Sequence, residues 1–453
     1  MIPIVTPEEV AAIDRAAPES VEELIGRAGA ATAGVAVAML GGTYGRRVAV
    51  LAGPGNNGAD GRDAARRLAR RGARVQVHGL GDLPARVGGV DLVIDAVLGT
   101  GARPGFAAPE IEAGIPVLAV DMPSGLDGLT GDADDGLLAA DRTVTFAALK
   151  PGLLLEPGRS LAGQVTVADI GLDTDAARAW QLTDADVAPL VPRRQPTAHK
   201  WRHAVWVVAG SPGMTGAAHL AVRGAQRAGA GYVRLSSPGV DDDPGRPVES
   251  VGVALSSNNW ADAVLDDLDR FGALVVGPGL GRDSTTMAEV ARAVAAAPVP
   301  VVVDGDGLTA LGSDPAALVT YRSAPTVLTP HDGEFERLTG ARPGLDRFAA
   351  VRDLAASTRS VVLLKGPTTL VAHPDGQVLV TSSGDARLAT AGTGDVLSGI
   401  IGALIAADVE PLRATAAAAH LHGRAGALGS AHGLVAGDLP DRLPAVYDQL
   451  TQE

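Results

Sequence analysis

Residues 46–72 read RRVAVLAGPGNNGADGRDAARRLARRG, and the change of period inside this stretch decides the fold. An apolar run ends in glycines, as a buried strand does when it closes in a turn, and a helical period follows until Gly72 stops it. The same strand-and-turn unit recurs outward. ARVQVHGL (73–80), DLVIDAVLGTG (91–101), IPVLAVDMPSG (115–125), RTVTFAAL (142–149) and GQVTVADIG (163–171) read as further strands. Short apolar strands with helices between them imply an α/β fold, a parallel sheet covered on both faces in three αβα layers. In such folds ligands sit beyond the carboxyl ends of the strands.

The pattern lapses in LTDADVAPLVPRRQPTAHKW (182–201), where Pro189, Pro192 and Pro196 fall among polar residues and suggest a linker over 182–195. The boundary is set at 1–185 and 186–453. Alternation then restarts with HAVWVVAG (203–210), the helix TGAAHLAVRGAQRAGAG (215–231) and YVRLSSP (232–238). It continues through ALVVGPGLG (273–281), PVVVDGDGL (300–308), PTVLTPHDG (325–333) and VVLLKGPTTLVAH (361–373), and closes with two helical stretches, 394–408 and 412–431. This is a second, larger α/β domain.

Composition narrows the function. A chain of 453 residues is too long for one typical core. A hydrophobic fraction of 46%, a charged fraction of 20% and 58 glycines describe a globular, loop-rich protein. Zero cysteines exclude disulfides, thiolate metal sites and a cysteine nucleophile. A formal charge of −14 argues against a nucleic-acid partner. No run of 18 apolar residues suggests a membrane partner, and MIPIVTPEEV does not read as a signal peptide, so a cytoplasmic location is expected. Of 38 basic residues only three are lysines, Lys150, Lys200 and Lys365, which makes them candidates for positions needing a compact ammonium on a flexible stem, with chance survival as the alternative for any one of them.

Three strand ends of the first domain carry chemistry. GPGNNGADG (53–61) joins a strand to a helix, where exposed amides and the helix dipole favour an anion and glycines allow close approach. Its paired asparagines add carbonyls able to meet a cation. DAVLGTG (95–101) and VDMPSGLDGLTG (120–131) bring Asp95, Asp121 and Ser124. Either acid alone reads better as a helix cap. Together the ends favour a site, in which oxygens of Asn57, Asp95 and Ser124 suit a hard monovalent cation and Asp121 is left for acid–base work.

These motifs, with LKPGLL (149–154), resemble the NAD(P)H-hydrate epimerase family across nearly the whole first domain. The resemblance implies a Rossmann-like domain that holds K⁺ and interconverts the R and S forms of hydrated NADH or NADPH. It implies K⁺ ligands at Asn57, Asp95 and Ser124. It places the hydrate against Asn56, Asn57, Gly58, Ala59 and Asp60, against Gly99, Thr100, Gly101, Ala102, Arg103, Pro104 and Gly105, and beside Asp121, with Lys150 matching the family's lysine. Ala59 departs from the family's usual glycine and is free of strain only with ordinary φ.

In the second domain ATAGTGDVLSG (389–399) crowds Gly392, Thr393 and Gly394 ahead of a lone acid, Asp395, which opens an apolar helical pattern. Such a turn builds a phosphate cradle with a base at its rim. An acid there also complements the helix dipole. Lys365, after an apolar strand, is placed to reach phosphates, and His331 follows another strand, where a lone histidine reads either as a structural residue or cap or as a functional group. These residues, with HKW (199–201) and VVAGSPGMTGAAHLA (207–221), resemble the ADP-dependent NAD(P)H-hydrate dehydratase family over about 197–440. The resemblance implies a ribokinase-like fold and phosphorylation of the C6 hydroxyl of the S hydrate by ADP with Mg²⁺, giving AMP. Loss of phosphate then restores the ring. It implies hydrate contacts at Ala217, Gly281, His331 and Asp395, nucleotide contacts at Lys365, Gly366, Pro367, Thr368, Thr369, Gly392, Thr393 and Gly394, and Asp395 as base. Ala391, Asp332 and Trp201 depart from the family pattern, the last two expected at the site's rim.

The fusion reads as a repair enzyme for damaged nicotinamide cofactors, with NADHX or NADPHX and ADP as its small-molecule partners and a homo-oligomeric state. A different ribokinase-like kinase with a non-catalytic ligand-binding first domain would accumulate phosphorylated product. A non-catalytic scaffold would have no use for acids at Asp121 and Asp395.

Overall fold

The apolar runs of the first half become one parallel sheet. Its strands are β1 (Arg47–Ala52), β2 (Arg74–Gly79), β3 (Leu92–Ala96), β4 (Val117–Val120), β5 (Arg142–Phe146) and β6 (Gln164–Ala168), in the spatial order β2-β1-β3-β4-β5-β6. The computed structural model describes residues 1–100, 106–133, 135–319 and 322–451.

Three helices of this unit start where the sequence supplies a start. α1 (Pro7–Ala16) and α2 (Val21–Leu40) open with capping boxes, Thr6 with Glu9 and Ser20 with Glu23, and α2 ends at Gly41 in the left-handed region. α3 (Asn56–Arg70) starts at Gly55 with no side-chain cap. One face of the sheet is covered by α2 and α3, whose Ala33, Ala36, Ala64 and Leu68 meet Val48, Val50, Ile94 and Val120. Over the other face Val87, Val97, Phe106 and Leu138, from short segments, cover Ala49, Leu51 and Ala119. α2 is long and apolar enough to cross a bilayer by length and composition, and its buried stripe of Ala28, Thr32, Ala33, Ala36 and Leu40 belongs to this core.

The chain divides into two compact units, Ile2–Ala179 and Trp180–Glu453 joined by Met1. Much of the segment read as a linker folds with the second unit, where Leu182 and Val187 are buried in the core. The second sheet contains β7 (Ala204–Val208), β8 (Tyr232–Ser236), β9 (Val251–Gly252), β10 (Ala273–Val276), β11 (Val301–Val303), β12 (Thr326–Leu328), β13 (Val361–Leu364), β14 (Thr369–Ala372) and β15 (Val378–Thr381). They run β15-β14-β13-β12-β11-β10-β7-β8-β9, parallel except for the meander β13–β15.

α4 (Thr215–Arg227), α6 (Thr393–Ala406) and α7 (Pro411–Ala427) pack into its core with Val205, Val207, Val275 and Leu363, while α5 (Asp332–Thr339) follows β12. α4 and α6 cross almost backbone to backbone. A Cβ on Gly399 would lie 1.9 Å from the Ala221 carbonyl oxygen, and one on Gly224 2.4 Å from that of Val396. Two glycines thus seat the amino end of α6 beyond the strand ends.

Candidate active sites

In the first unit the chain turns from β1 into α3 through Gly53, Pro54 and Gly55. Gly58 must be glycine here, since a Cβ would sit 1.9 Å from the Gly53 carbonyl oxygen. Ala59 lies inside α3 and is not among the residues with positive φ, so its methyl brings no backbone strain. Asp121, just past β4, does take the left-handed region at φ 64°, a placement that costs an aspartate about 1 kcal/mol and persists because its side chain is held. Asp121 Oδ1 accepts from Lys150 Nζ at 2.5 Å and from Thr145 Oγ1 at 3.1 Å. Lys150 Nζ also donates to Thr145 Oγ1 at 2.8 Å and to the Phe146 carbonyl at 3.3 Å, and its side chain is only 1% exposed.

Asp95, Ser124 and Asn57 meet around the Leu98 peptide. Ser124 Oγ and N donate to the two Asp95 oxygens at 2.6 and 2.8 Å, Leu98 N donates to Ser124 Oγ at 2.9 Å, and Asn57 Nδ2 donates to the Leu98 carbonyl at 2.9 Å. Asp95 is fully buried, which pushes its carboxyl upward against the hydrogen bonds from Ser124 and Val97. Asn57 Oδ1 is buried without a partner. An orphaned amide oxygen on a side chain bonded to the Leu98 carbonyl, in a cluster that also holds a buried carboxylate, fits a weakly charged, oxygen-seeking cation. Among the described residues no group of three or more His, Cys, Asp or Glu could hold a metal. Gly99 sits between Asn57 and the second oxygen of Asp121, with Thr100 next to it. Gly101, Ala102, Arg103, Pro104 and Gly105 lie outside the described residues.

The second unit repeats the pattern with other parts. α6 starts at Gly392, φ 91°, with no side-chain cap, and Asp395 is its third residue. Burial, and then the field of Asp304, push the Asp395 carboxyl up to about 7 against the pull of Lys365. Lys365 Nζ lies 2.5 Å from Asp304 Oδ1, which also accepts from Thr329 Oγ1 at 2.7 Å; Ser398 Oγ donates to the other Asp304 oxygen. Burial alone would raise Asp304, but the Lys365 charge and these hydrogen bonds outweigh it and hold the carboxyl low. Burial would lower Lys365, and the Asp304 and Glu334 charges overcome it. Glu334, buried nearby, is raised by burial. A Cβ on Gly394 would lie 3.3 Å from Lys365 Nζ, so the glycine turn touches the lysine.

The remaining expected residues sort by geometry. Thr393 spends its hydroxyl on the Leu388 and Thr390 carbonyls at 3.0 and 3.1 Å. Gly366, Pro367 and Thr368 form the β13–β14 turn, and Thr369 opens β14. His331 caps α5, its Nδ1 accepting from Gly333 N at 3.0 Å and Glu334 N at 3.3 Å. Ala217, in the first turn of α4, faces Gly279, and Gly281 donates its N–H to Asp306 Oδ2 at 3.0 Å. Beside them a cavity of about 480 Å³ is lined by Thr215, His219 and the loop bearing Asp243, whose Oδ2 is 2.7 Å from His219 Nε2.

The sequence reading did not single out Asp304, Thr329, Ser398 or Glu334, nor Thr145 in the first site. The legible signal for Asp304 was an acid directly after the apolar run VVV, the same signal that flagged Asp95 and Asp121.

Two departures are accounted for. Ala391 is exposed and outside the positive-φ set. Asp332 forms a two-pronged pair with Arg347, at 2.8 and 3.0 Å, and Arg347 Nη2 also donates to the Lys365 carbonyl at 3.1 Å. The expectation for Trp201 is corrected. It stacks on Tyr232 with ring centroids 4.2 Å apart, under the Arg270 guanidinium. Tyr232 begins β8 and Arg270 precedes β10, so Trp201 lies at the amino ends of the parallel strands, away from the site's rim.

Comparison with known proteins follows the division into units. A family model described as YjeF-related protein N-terminus matches residues 21–87 and 82–152, and one described as NAD(P)H-hydrate dehydratase matches 205–447. The chain is 38% identical to the bifunctional NAD(P)H-hydrate repair enzyme of Moorella thermoacetica, over 90% of this chain and 88% of that one. It is 40% identical to the enzyme of the same name from Mycobacterium leprae, over 86% and 85%. The ADP/ATP-dependent NAD(P)H-hydrate dehydratase from Bacillus subtilis, co-crystallised with ATP and Mg²⁺, superposes with a TM-score of 0.53 at 34% identity, covering 59% of this chain and 97% of that one.

Proposed function

The chain belongs to the family of bifunctional NAD(P)H-hydrate repair enzymes, and we propose that each compact unit carries one of two consecutive activities. The first unit epimerises the R and S hydrates of NADH and NADPH. The second dehydrates the S form, using ADP and releasing AMP and phosphate. The observation that carries this reading is the pairing, in each unit, of an uncapped helix start with a lysine–aspartate pair at neighbouring strand ends.

In the second unit Asp395 removes the proton of the C6 hydroxyl as that oxygen attacks the terminal phosphoryl group of the nucleotide. An acid held at about 7 is well matched to this task, being partly ionised at neutral pH and still basic enough to take a proton. The α6 amides and Lys365 meet the phosphates. Mg²⁺ brought in with the nucleotide would supply charge neutralisation. Of the two buried acids beside Lys365, Asp304 is bonded to Lys365, Thr329 and Ser398, whereas Glu334 accepts from the His331 backbone and would be the carboxylate nearer to free for it. Loss of the C6 phosphate then restores the ring.

In the first unit Asn57, Asp95, Ser124 and the Leu98 carbonyl would hold K⁺, whose charge offsets the burial of Asp95. Asp121, steadied by Lys150 and Thr145, presents its second oxygen towards Gly99 and handles a proton at the nicotinamide.

The test is to incubate the protein with mixed R and S hydrates and ADP while following absorbance of the reduced ring and release of phosphate. Complete conversion of the mixture is expected. Conversion of only the S fraction would remove the epimerase assignment, and a stable phosphorylated product without phosphate release would remove the dehydratase assignment.

A further inference from the structure

α3 carries two buried acids with opposite circumstances. Asp63 is paired with Arg66 at 2.8 Å and Arg67 at 2.5 Å. Asp60, three residues earlier and equally buried at 7% exposure, is reached by no hydrogen bond or ion pair among the described residues. It lies one helical turn beyond Asn56 and Asn57, on the helix whose uncapped start opens the first site. The charged groups acting on it are Asp121 from the end of β4, Asp63 on its own helix and Asp14 on α1; Lys150 stands behind Asp121 and is bonded to it. A structural acid in this position would resemble Asp63, with arginines supplied. A buried carboxyl without a partner among three other acids is not kept for stability.

Resting on the epimerase reading, we propose that Asp60 is a second catalytic group of the first site, the neutral acid that protonates the C6 oxygen of the hydrate while Asp121 serves as base. C6 carries its hydroxyl next to the ring nitrogen N1. The Asp60 proton passes to that oxygen, the C6–O bond breaks and water leaves. The N1 lone pair forms an N1=C6 double bond, which makes C6 planar. Water adds to the opposite face, the N1=C6 pair returns to nitrogen, and the proton of the added water goes to Asp121. Atoms and electrons balance without a redox partner. This leaves Asp60 ionised and Asp121 protonated, the state from which the reverse direction runs, and loss of the Asp121 proton to solvent with uptake of one by Asp60 resets the site for the next forward turnover. Burial, then the fields of Asp121, Asp63 and Asp14, raise the Asp60 carboxyl to about 8, so it holds its proton at neutral pH as this role requires.

The experiment uses the full chain and pure R hydrate without nucleotide, separating R from S by chromatography at a series of pH values. Wild-type epimerisation should fall as pH rises through about 8. Asp60→Asn should be slower by roughly 100-fold and should lose that alkaline fall. Its unfolding temperature at alkaline pH should not drop, because the change removes an unpaired buried charge; a structural acid would behave oppositely. A wild-type rate flat through that range, or an Asp60→Asn protein within threefold of the parent, overturns the proposal. Asp121→Asn separates this failure from that of the epimerase reading. If Asp121→Asn is slow and Asp60→Asn is not, only the acid assignment fails; if neither is slow, the epimerase reading fails with it.

Discussion

The two sites are built from the same ion pair turned opposite ways round. In the first unit the lysine is sealed in, with Lys150 1% exposed, and its partner Asp121 faces outward at 15%. In the second unit the aspartate is sealed in, with Asp304 2% exposed, and Lys365 faces outward at 21%. Both pairs have a separation of 2.5 Å. The pair that shows a carboxylate suits proton transfer. The pair that shows an ammonium suits an anionic nucleotide. Both stand near a helix start with glycine at the cap and no side-chain bond to the first amides, at Gly55 and at Gly392. α1, α2 and α5, by contrast, are closed by Thr6, Ser20 and His331. An amide end without a side-chain cap is satisfied by solvent or by an anionic ligand that binds there.

The largest expected effect tests the outward lysine site. Asp395→Asn keeps size and removes the base, so turnover of pure S hydrate should fall by about two to four powers of ten. ADP binding, read by calorimetry, should change little, because the cradle of Gly392, Thr393 and Gly394 is untouched. Loss of ADP binding with this variant would show that Asp395 holds the nucleotide and is not the base.

Next comes the outward carboxylate. Asp121→Asn should lower epimerisation by roughly 100-fold and leave S-hydrate dehydration near the parent's rate. A variant within a few-fold of the parent would make Asp121 only the counter-ion of Lys150, and the contrast between the two pairs would lose its functional meaning.

Asp95→Ala should weaken K⁺ binding and slow epimerisation by roughly 10- to 100-fold. Added K⁺ should restore part of the rate, and S-hydrate dehydration should be unchanged. Equal loss of both activities would mean that the cluster around the Leu98 peptide holds the fold and no cation.

The pH dependence sharpens the comparison without any substitution. With Asp395 as the proposed base, dehydration should rise as pH rises through about 7. Stability should move the other way. Asp395 and Asp60 both have folded values, about 7 and about 8, above the ordinary carboxylate range near 4, so the folded state holds protons that the unfolded chain releases. That contribution is present at low pH and is lost as pH rises through those two values. A dehydration rate that declines across neutrality would reverse the role assigned to Asp395.

Much of this arrangement was legible in the chain because its parts are local. A strand that must turn sharply into a helix needs glycine or proline, and an acid or lysine at that turn is exposed to the reader as well as to the ligand. Asp121, Asp395 and Lys365 were all visible in this way. Asp304 ends VVVD in the same style, but its meaning comes from Lys365, 61 residues away, and from Ser398, 94 residues away. Thr145 and Ser398 sit inside apolar runs, where a hydroxyl reads as a tolerated polar residue. Trp201 misled through its neighbours. It adjoins the HK motif in sequence, but a residue entering a parallel strand and one leaving it stand at opposite ends of the sheet.

The smallest expected effect concerns a residue whose purpose the sequence concealed. Asp332 was a departure from the family pattern, and in the fold it steers Arg347, which holds the carbonyl of Lys365. Asp332 is 45% exposed, so its pair with Arg347 is worth no more than about 1 kcal/mol, and Asp332→Ala should leave unfolding nearly unchanged. Its effect should appear instead in the β13–β14 turn. With Arg347 released, the Lys365 backbone is less firmly fixed, and the ammonium meets the nucleotide in a wider range of positions. KM for ADP should rise a few-fold, with kcat for S hydrate and the rate of epimerisation both held. Arg347→Lys should produce the same rise, because a single ammonium does not satisfy the Asp332 fork and the Lys365 carbonyl together. If KM for ADP stays at the parent value in both variants, the outward lysine is fixed by Asp304 alone, and the second site needs no support from its rim.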